Sequence, residues 1–457
     1  MNQIIFWSSI YPRSYTRPIG SYQLAFWLRK HGIDCQVIEF CQWFSSDQLF
    51  EFTEWFISNQ TKFIGISSTF WPYTNRIHIP QNISRTIDRI KQKYPKIKFV
   101  FGGPRVNAVR DVGKYADIIL PGEAENSLLT LMKGNNIGVP FNICDQDHRF
   151  VEKDCIVEGE VLPIELGRGC IFKCKFCSHA NLGKAKHTYQ RHIKQIENEI
   201  RYNYEHFKTT HYLFTDDTVN EDLDKIRNLS QLPKNTGVDI KWTGYLRADL
   251  LWRFPDTPYQ LQQSGLASCF FGIESFHKKA SLLIGKGWSG NHASTYLPHL
   301  YADIWKQNIT IANNFIVGLP DETESDLKNT LTWCVDHPMG INRFVPLSLY
   351  DTTHTDGPRS EFTTNYKQYG YSIDENGQWK NSSFCQQRAE QVANELNKQL
   401  DDINTIASWR LFGLVNCGIP VKEGSLIKQA IETTVGRTQF KSFLSRYKTK
   451  LQQLSKY

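Results

Sequence analysis

The chain has 457 residues, too many for one ordinary hydrophobic core and enough for two or three domains. Hydrophobic residues make up 40% and charged residues 22%, and no apolar run approaches the roughly 20 residues that cross a bilayer, so the composition indicates a globular protein without a membrane span. The net charge of +7 is mild and spread along the chain, and by itself it indicates no nucleic-acid partner. Without a signal-peptide layout, we expect a cytoplasmic protein.

Residues 1 to about 135 alternate strand-like and helix-like segments, which predicts a doubly wound parallel sheet covered by helices on both faces. The predicted strands are IIFWSS (4–9), CQVIEF (35–40), KFIGISS (62–68), KFVFGG (98–103) and ADIILPG (116–122). The predicted helices cover 21–32, 83–95 and 125–134. Residues 136–160 lose this alternation, and we interpret them as a linker.

The alternation resumes at residue 161 and counts to six strands by residue 350. They are predicted at VLPIEL (161–166), HYLFTDD (211–217), VDIKWTGYLR (238–247), CFFGIES (269–275), TIANNFIVGLP (310–320) and RFVPLSLY (343–350). Six such units predict a partial (β/α)6 barrel, with chemistry at the carboxyl ends of its strands. Residues 351–457 begin as an irregular stretch, interpreted as a surface loop or a lid, and become mainly helical over 383–411 and 424–455.

Three cysteines follow the first barrel strand, in the stretch ELGRGCIFKCKFCSHA. Cys170, Cys174 and Cys177 are spaced C-x3-C-x2-C, and the other eight cysteines are scattered as expected of free thiols in a reducing compartment. One interpretation is structural zinc, with His179 as the fourth ligand. The other is a 4Fe–4S cluster held at three of its irons. Glycines that allow close backbone approach and nearby basic side chains favour the cluster.

This stretch resembles the C-x3-C-x-aromatic-C signature of radical S-adenosylmethionine (SAM) enzymes. Further similarity follows in the family's order, at FTDD (214–217), GYLRAD (244–249), FFGIES (270–275) and NNFIVGLPDETESD (314–326). The resemblance implies a 4Fe–4S cluster whose open iron binds SAM and whose electron cleaves it to a 5′-deoxyadenosyl radical. It also implies an external one-electron reductant, such as a flavodoxin or ferredoxin.

The same resemblance implies a set of residues around SAM: Phe176, Asp216, Asp217, Arg247, Glu274, Val317 and Gly318. The two aspartates would lie near the SAM amine, where the family often has Gly-Gly-Glu, so the hydrogen-bonding set stays open at this position. Structural roles are the alternative: a helix cap for the aspartates, an Arg247–Glu274 ion pair, and a turn at Gly318.

The first domain resembles the cobalamin-binding domain that precedes the barrel in one radical SAM subclass. The resemblance implies cobalamin contacts from three loops at strand ends, with the candidate residues Ser67, Ser68, Thr69, Gly102, Gly103, Pro104, Gly122 and Glu123. The Asp-x-His-x-x-Gly motif that supplies a cobalt-ligating histidine is missing from this domain, and neither His31 nor His78 fits it. Cobalamin without a histidine ligand and an empty Rossmann-like domain therefore both stay open.

The cofactor decides the predicted reaction. With cobalamin, the chain is predicted to methylate an unactivated carbon; without it, to act as a radical SAM isomerase or tailoring enzyme on a small metabolite or a modified nucleobase. A zinc-containing nucleic-acid-binding protein is the alternative from another class. Residues 351–457 carry no second cysteine cluster, which argues against an auxiliary iron–sulfur centre. The sequence assigns no catalytic residue, and Trp242, Tyr245, Trp288 and Tyr350 are equally cavity or core candidates.

Overall fold

The structure is a computed structural model. It describes residues 1–10, 16–68, 78–103, 106, 111–134, 138, 140–177, 189–349, 360–403 and 434–456. Within these residues, no helix is both long enough and apolar enough to cross a membrane.

The N-terminal part contains a five-stranded, fully parallel sheet. Its strands are β1 (Ile4–Trp7), β2 (Cys35–Ile38), β3 (Phe63–Ser67), β4 (Lys98–Gly103) and β5 (Ile118–Pro121). Their order is β2-β1-β3-β4-β5, so the winding direction reverses between β1 and β3. The predicted doubly wound sheet is confirmed, and ligands of such sheets bind where the strand order reverses.

Five helices cover this sheet: α1 (Ile19–Lys30), α2 (Ser46–Phe56), α3 (Gln81–Lys93), α4 (Val112–Tyr115) and α5 (Glu125–Lys133). Helix α2 is absent from the sequence prediction, although its start carries a capping box. Ser45 Oγ accepts a hydrogen bond from Gln48 N at 3.2 Å, and Gln48 Oε1 accepts one from Ser45 N at 3.3 Å. This Ser-x-x-Gln pattern is the signal that would have revealed the helix.

The segment interpreted as a linker is anchored into the core. Its described residues form two short 3-10 helices, Ile143–Asp145 and Glu152–Asp154. Asp154 pairs with Arg29 at 2.9 Å, and the fully buried Arg17 pairs with Glu160 at 2.6 Å. Because these ion pairs are shielded from water, the segment is fixed to the N-terminal sheet.

The second sheet has six parallel strands: β6 (Leu162–Ile164), β7 (His211–Phe214), β8 (Lys241–Leu246), β9 (Leu266–Glu274), β10 (Thr310–Val317) and β11 (Gly340–Pro346). Their order follows the chain, β6 to β11, without a pairing that would close the ring. This is the predicted partial barrel. Its helices are α6 (Ile193–Phe207), α7 (Leu223–Ser230), α8 (Leu232–Thr236), α9 (Ala248–Arg253), α10 (Thr257–Gln263), α11 (Lys278–Leu283), α12 (Gly290–His299), which continues into a π-helical turn (Leu300–Ile304), and α13 (Glu324–Asp336).

Side chains alternate between the barrel lumen and the helix layer along each strand. Trp242 stacks on Phe214 at 4.6 Å and is buried under the helices, as is Trp288, so both tryptophans belong to the core. Tyr245 is 36% exposed and lies on the opposite, lumen face of β8. Tyr350 lies outside the described residues.

The C-terminal part packs against the last barrel strand and against the N-terminal sheet. It consists of α14 (Glu361–Thr364), a 3-10 turn (Tyr366–Tyr369), a two-stranded hairpin of β12 (Ser372–Ile373) and β13 (Trp379–Lys380), α15 (Gln386–Ile403) and α16 (Thr434–Leu454). The Asn397 amide on α15 exchanges two hydrogen bonds with the backbone of Phe344, at 2.9 and 2.8 Å. These bonds satisfy the open edge of β11, which would otherwise expose unpaired backbone groups.

The last helix returns to the N-terminal sheet. Phe443, Tyr447 and Leu451 of α16 join the core on one face of that sheet, and the Tyr447 hydroxyl accepts a hydrogen bond from Glu39 N at 2.8 Å. The opposite face, which includes Ile4, is continuous with the barrel core. The N-terminal sheet is therefore packed between the barrel and the end of the chain.

Candidate active site

The cysteine loop leaves the carboxyl end of β6 at the barrel rim, and all three of its cysteines are half-buried. Gly169, just before the first cysteine, has φ 99°, a conformation that favours glycine. Neighbouring segments hold the loop on two sides. Lys175 N donates to Ile284 O at 3.1 Å, and Lys175 O accepts from Phe362 N at 2.9 Å. The irregular C-terminal stretch, as far as it is described, therefore packs directly against the cysteine loop.

A guanidinium group lies beside the thiols. Arg247, at the end of β8, places Nη1 3.4 Å from Cys174 Sγ, and its guanidinium lies 3.9 Å from the centre of the Phe172 ring. Two hydrogen bonds to Asp249, of 3.0 and 2.8 Å, fix its orientation. Three thiols within eight residues of one loop, with a fixed positive charge beside one of them, fit a cluster held by three thiolates.

The zinc alternative depends on a residue that the structure does not describe, His179. Among the described residues, no three Cys, His, Asp or Glu side chains are gathered closely enough to hold a single metal ion. Burial raises the pKa of Cys170, whose Sγ lies 3.6 Å from Thr218 Oγ1.

The two predicted aspartates occupy different environments. Asp216 is buried, accepts a hydrogen bond from Leu166 N at 2.9 Å and pairs with Lys225 Nζ at 2.7 Å. Lys225 also pairs with Glu221 at 2.9 Å. Asp216 thus joins the ends of β6 and β7 through the hydrogen bond from Leu166 N and is tied to helix α7 by the buried ion pair, whereas Asp217 is only half-buried. The sequence analysis did not identify Lys225 as a counterion, because Asp216 lies nine residues away, across a turn.

Glu274 ends β9 with φ 70° and pairs with Lys286 Nζ at 2.7 Å. Lys286 also donates to the carbonyl of Gly272 and lies 5.7 Å from the centre of the Phe176 ring. Lys286 was not considered in the sequence analysis. It brings together Glu274 and Phe176, two predicted SAM-binding residues from distant segments. Glu274 is paired with Lys286 and Arg247 with Asp249, so the alternative Arg247–Glu274 ion pair does not form.

The end of β10 is covered by the C-terminal hairpin. Gly318 has φ 104°, and a Cβ there would overlap the Trp379 ring. Its carbonyl accepts hydrogen bonds from Tyr371 Oη at 2.8 Å and Asn381 Nδ2 at 3.1 Å. Val317 is fully buried. Gly318 is thus required for packing against the hairpin, in addition to any contact with a cofactor.

One further carboxyl group at this rim has no cationic partner among the described residues. Glu322 is buried beside the end of β9, where Ser275 Oγ donates to one of its oxygens. Burial raises the pKa of Glu322 to about 8. This group therefore holds a proton at neutral pH, and Glu322 was not among the residues that the sequence predicted.

Glycines and hydroxyl groups form the carboxyl edge of the N-terminal sheet. Gly103 has φ 106°, and a Cβ there would lie 2.7 Å from the Oγ atom of Ser68, which is fully buried. Gly102 packs against Leu120 O, Gly122 borders open space, and Ser67 ends β3. Thr69 and Pro104 lie outside the described residues.

Buried polar groups meet at the same edge, where β1 and β2 end. The Ser8 and Ser9 hydroxyls interact with the buried Glu39 carboxyl group, whose pKa is raised by burial. Hydroxyl groups at a sheet edge can also hydrogen-bond a ligand. Backbone that approaches closely and hydroxyl groups fit the amide-rich cobalamin macrocycle.

Arg168 connects the two edges. This guanidinium, in the cysteine loop, pairs with Glu165 at 2.8 Å and with Glu125 of α5 at 2.6 Å. It also reaches Glu123 at 3.7 Å and lies 5.1 Å from the centre of the Phe141 ring. The cysteine loop and the glycine-rich edge of the N-terminal sheet are therefore tied together by one largely buried cation.

No family model matches the chain, and no curated protein matches it. Solved structures do. The radical SAM methyltransferase TsrM from Kitasatospora setae, with cobalamin and a [4Fe-4S] cluster bound, matches with a TM-score of 0.62 and 14% identity over 97% of this chain and 100% of that one. TsrM with tryptophan and a SAM analogue matches with a TM-score of 0.57 and 16% identity over 86% and 89%.

The cobalamin-dependent SAM radical enzyme OxsB, with aqua-cobalamin and SAM bound, matches with a TM-score of 0.57 and 14% identity over 99% of this chain and 72% of that one. The chain therefore has the fold of the cobalamin-dependent radical SAM enzymes over nearly its whole length. This likeness confirms the fold that the sequence resemblance implied.

Proposed function

We propose that this chain is a radical SAM enzyme, that Cys170, Cys174 and Cys177 hold its 4Fe–4S cluster, and that it is a cobalamin-dependent methylase of an unactivated carbon. One observation carries the proposal: the three half-buried cysteines lie at the rim of a six-stranded partial barrel, with Arg247 Nη1 3.4 Å from Cys174 Sγ. The bound groups would supply electron transfer, radical formation and methyl carriage, and the protein supplies position and electrostatics.

In this proposal, the rim residues bind and orient SAM. Arg247, held by Asp249, presents a fixed positive charge for the methionine carboxylate. The Glu274–Lys286 pair presents a carboxylate and an ammonium group beside Phe176, where they would hydrogen-bond the hydroxyl and amine groups of SAM. Asp217 is the carboxylate proposed for the SAM amine, since Asp216 is engaged with Lys225. The covering C-terminal segment would exclude water.

The cobalamin part of the proposal is supported by the N-terminal edge. Ser67, Ser68, Gly102, Gly103, Gly122 and Glu123 are its described candidates, with Thr69 and Pro104 as candidates outside the described residues. Arg168 would fix this edge relative to the cluster. We also propose three domains, at 1–135, 161–350 and 351–457, with 136–160 as the linker between the first two. A reducing cytoplasmic location is proposed as well, since the cysteines that the structure describes are all free.

The test is anaerobic reconstitution with iron, sulfide and hydroxocobalamin. We expect four irons and one cobalamin per chain, and 5′-deoxyadenosine on addition of SAM and a strong reductant. Cys174→Ala should lower 5′-deoxyadenosine formation at least 100-fold. Cys385→Ala, an exposed cysteine outside the loop, is the matched control and should retain full activity.

Three outcomes would contradict parts of this proposal. A colourless protein with one zinc would refute the radical SAM assignment, as would undiminished SAM cleavage by Cys174→Ala. A protein with a normal cluster that retains no cobalamin would instead indicate the isomerase or tailoring activity.

A further inference from the structure

Two polar side chains lie next to each other on the lumen face of the barrel. Asn314 on β10 is the register partner of Arg343 on β11 and of Gly272 on β9. Register partners on adjacent parallel strands lie about 5 Å apart and point to the same face. That face is the lumen, since the alternating residues Phe271, Phe315 and Phe344 are buried in the helix-side core.

Neither side chain is satisfied by the residues that the structure describes. Arg343 is half-buried and makes no hydrogen bond or ion pair with any residue that the structure describes. Asn314 Oδ1 is buried and likewise has no partner among those residues. The planar guanidinium of arginine matches carboxylates and phosphates, and leaving a buried amide oxygen without a partner is unfavourable. Both observations indicate a ligand.

Among the described residues, no carboxylate forms an ion pair with Arg343. A Cβ at Gly272 would lie closest to Glu274 Oε1 and 2.8 Å from Lys286 Nζ, so both members of the Glu274–Lys286 pair are on the same lumen face. That pair is internally neutral, and Arg247 is neutralised by Asp249. The row of lumen residues below Arg343 is apolar and includes Ile341 and the edge-to-face pair Tyr245–Phe270, whose ring centres are 5.1 Å apart. This row is aliphatic next to the cation, at Ile341 and Ala312, and aromatic farther across the lumen.

We propose that Arg343 and Asn314 form a carboxylate-binding subsite in the barrel lumen, which takes the carboxylate of an organic substrate. The guanidinium binds the carboxylate through two parallel hydrogen bonds, and the Asn314 amide contributes a donor to the carboxylate and an acceptor to a neighbouring N–H or O–H group of the substrate. This inference rests on the proposed function. It narrows the substrate to small carboxylic acids, with amino acids among them.

The carboxylate of SAM is a second source of the same chemistry. Arg247 stands beside Cys174 and serves that carboxylate in the proposed function, whereas Arg343 lies three residues before the end of β11. Arg343 is therefore assigned to the substrate, and the experiment separates the two sources.

The experiment uses the reconstituted protein with SAM bound and three pairs of probes: acetate and acetamide, phenylacetate and phenylacetamide, and indole-3-acetate and indole-3-acetamide. We expect calorimetric titration to show at least one carboxylate binding at least tenfold more tightly than its amide. Arg343→Gln should abolish this preference, and Arg343→Lys should retain part of it. Asn314→Asp should also abolish it through charge repulsion, and Arg201→Gln, on helix α6 outside the barrel lumen, should leave it unchanged.

No preference for any carboxylate in the wild-type protein, or a preference that survives Arg343→Gln, would overturn the subsite. A tenfold loss of SAM affinity in Arg343→Gln would instead assign the subsite to SAM and overturn the substrate assignment. If the wild-type protein forms no 5′-deoxyadenosine but discriminates between the probes, the proposed function fails while the subsite stands.

Discussion

The two parallel sheets of this chain prepare their carboxyl edges in opposite ways. At the barrel rim, charged residues are paired before any ligand arrives: Asp216 with Lys225, Arg247 with Asp249, and Glu274 with Lys286. At the N-terminal edge, the described candidates are mainly uncharged glycines and serines. Gly102 and Gly103 there let neighbouring strands approach each other closely. Arg168 connects the two edges.

The difference follows from what each edge is proposed to hold. SAM is small and charged, so fixed charges can orient it, and ion pairs keep those charges in place. Cobalamin is large and presents many amides, so a surface with little side-chain bulk and closely approaching backbone suits it. Variants at each edge test these two roles separately.

The largest expected effect comes from removing a buried counterion at the barrel rim. Lys225→Met leaves Asp216 and Glu221 buried without their cation, so we expect the free energy of unfolding to fall by about 3–5 kcal/mol in denaturant titration. Lys194→Met removes a lysine that is 76% exposed in its pair with Glu197, and should cost less than about 1 kcal/mol. Equal effects in the two variants would show that the rim pair has no special structural role.

An intermediate effect is expected at the glycine-rich edge. Gly103→Ala combines a positive φ with a Cβ placed 2.7 Å from Ser68 Oγ, and should cost about 1–3 kcal/mol. We also expect it to lower retained cobalamin while the iron content stays unchanged. Gly122→Ala places a Cβ on a backbone of positive φ but in open space, and Gly113→Ala has neither the positive φ nor a close contact. The three variants therefore separate backbone strain from the steric contact with Ser68. Normal cobalamin retention by Gly103→Ala would contradict the edge as its binding site.

The smallest expected effect over a single pH unit concerns the rim carboxyl group of Glu322, which has no cationic partner among the described residues. The pKa of Glu322 is raised to about 8, whereas its unfolded value is near 4.5. Between these values the unfolded chain has lost a proton that the folded protein keeps. Stability should therefore fall as pH rises from 4.5 to 8, by up to about 1.4 kcal/mol per pH unit. Glu322→Gln should remove this slope, while Asp321→Asn, an exposed neighbour, should preserve it.

Several features were predictable because they are local in sequence. Hydrophobic alternation located all five strands of the first sheet and all six of the barrel, and the cysteine spacing located the rim loop. Ser45 and Gln48 carried a readable cap signal for α2 that the strand-by-strand prediction passed over. The counterions Lys225 and Lys286 had no such signal, because each meets its partner through a turn whose geometry the sequence does not specify.

The sequence by itself determined the two parallel sheets and the cysteine trio, because periodicity and spacing are properties of neighbouring residues. Only the tertiary structure decided which charges are already neutralised and which are not. Arg247, Glu274 and Arg343 look alike as charged residues at strand ends or within strands, yet the first two have partners and the third has none that the structure describes. Such pairing depends on strand register and on which segments fold back over the rim, and neither can be read from the residues one at a time.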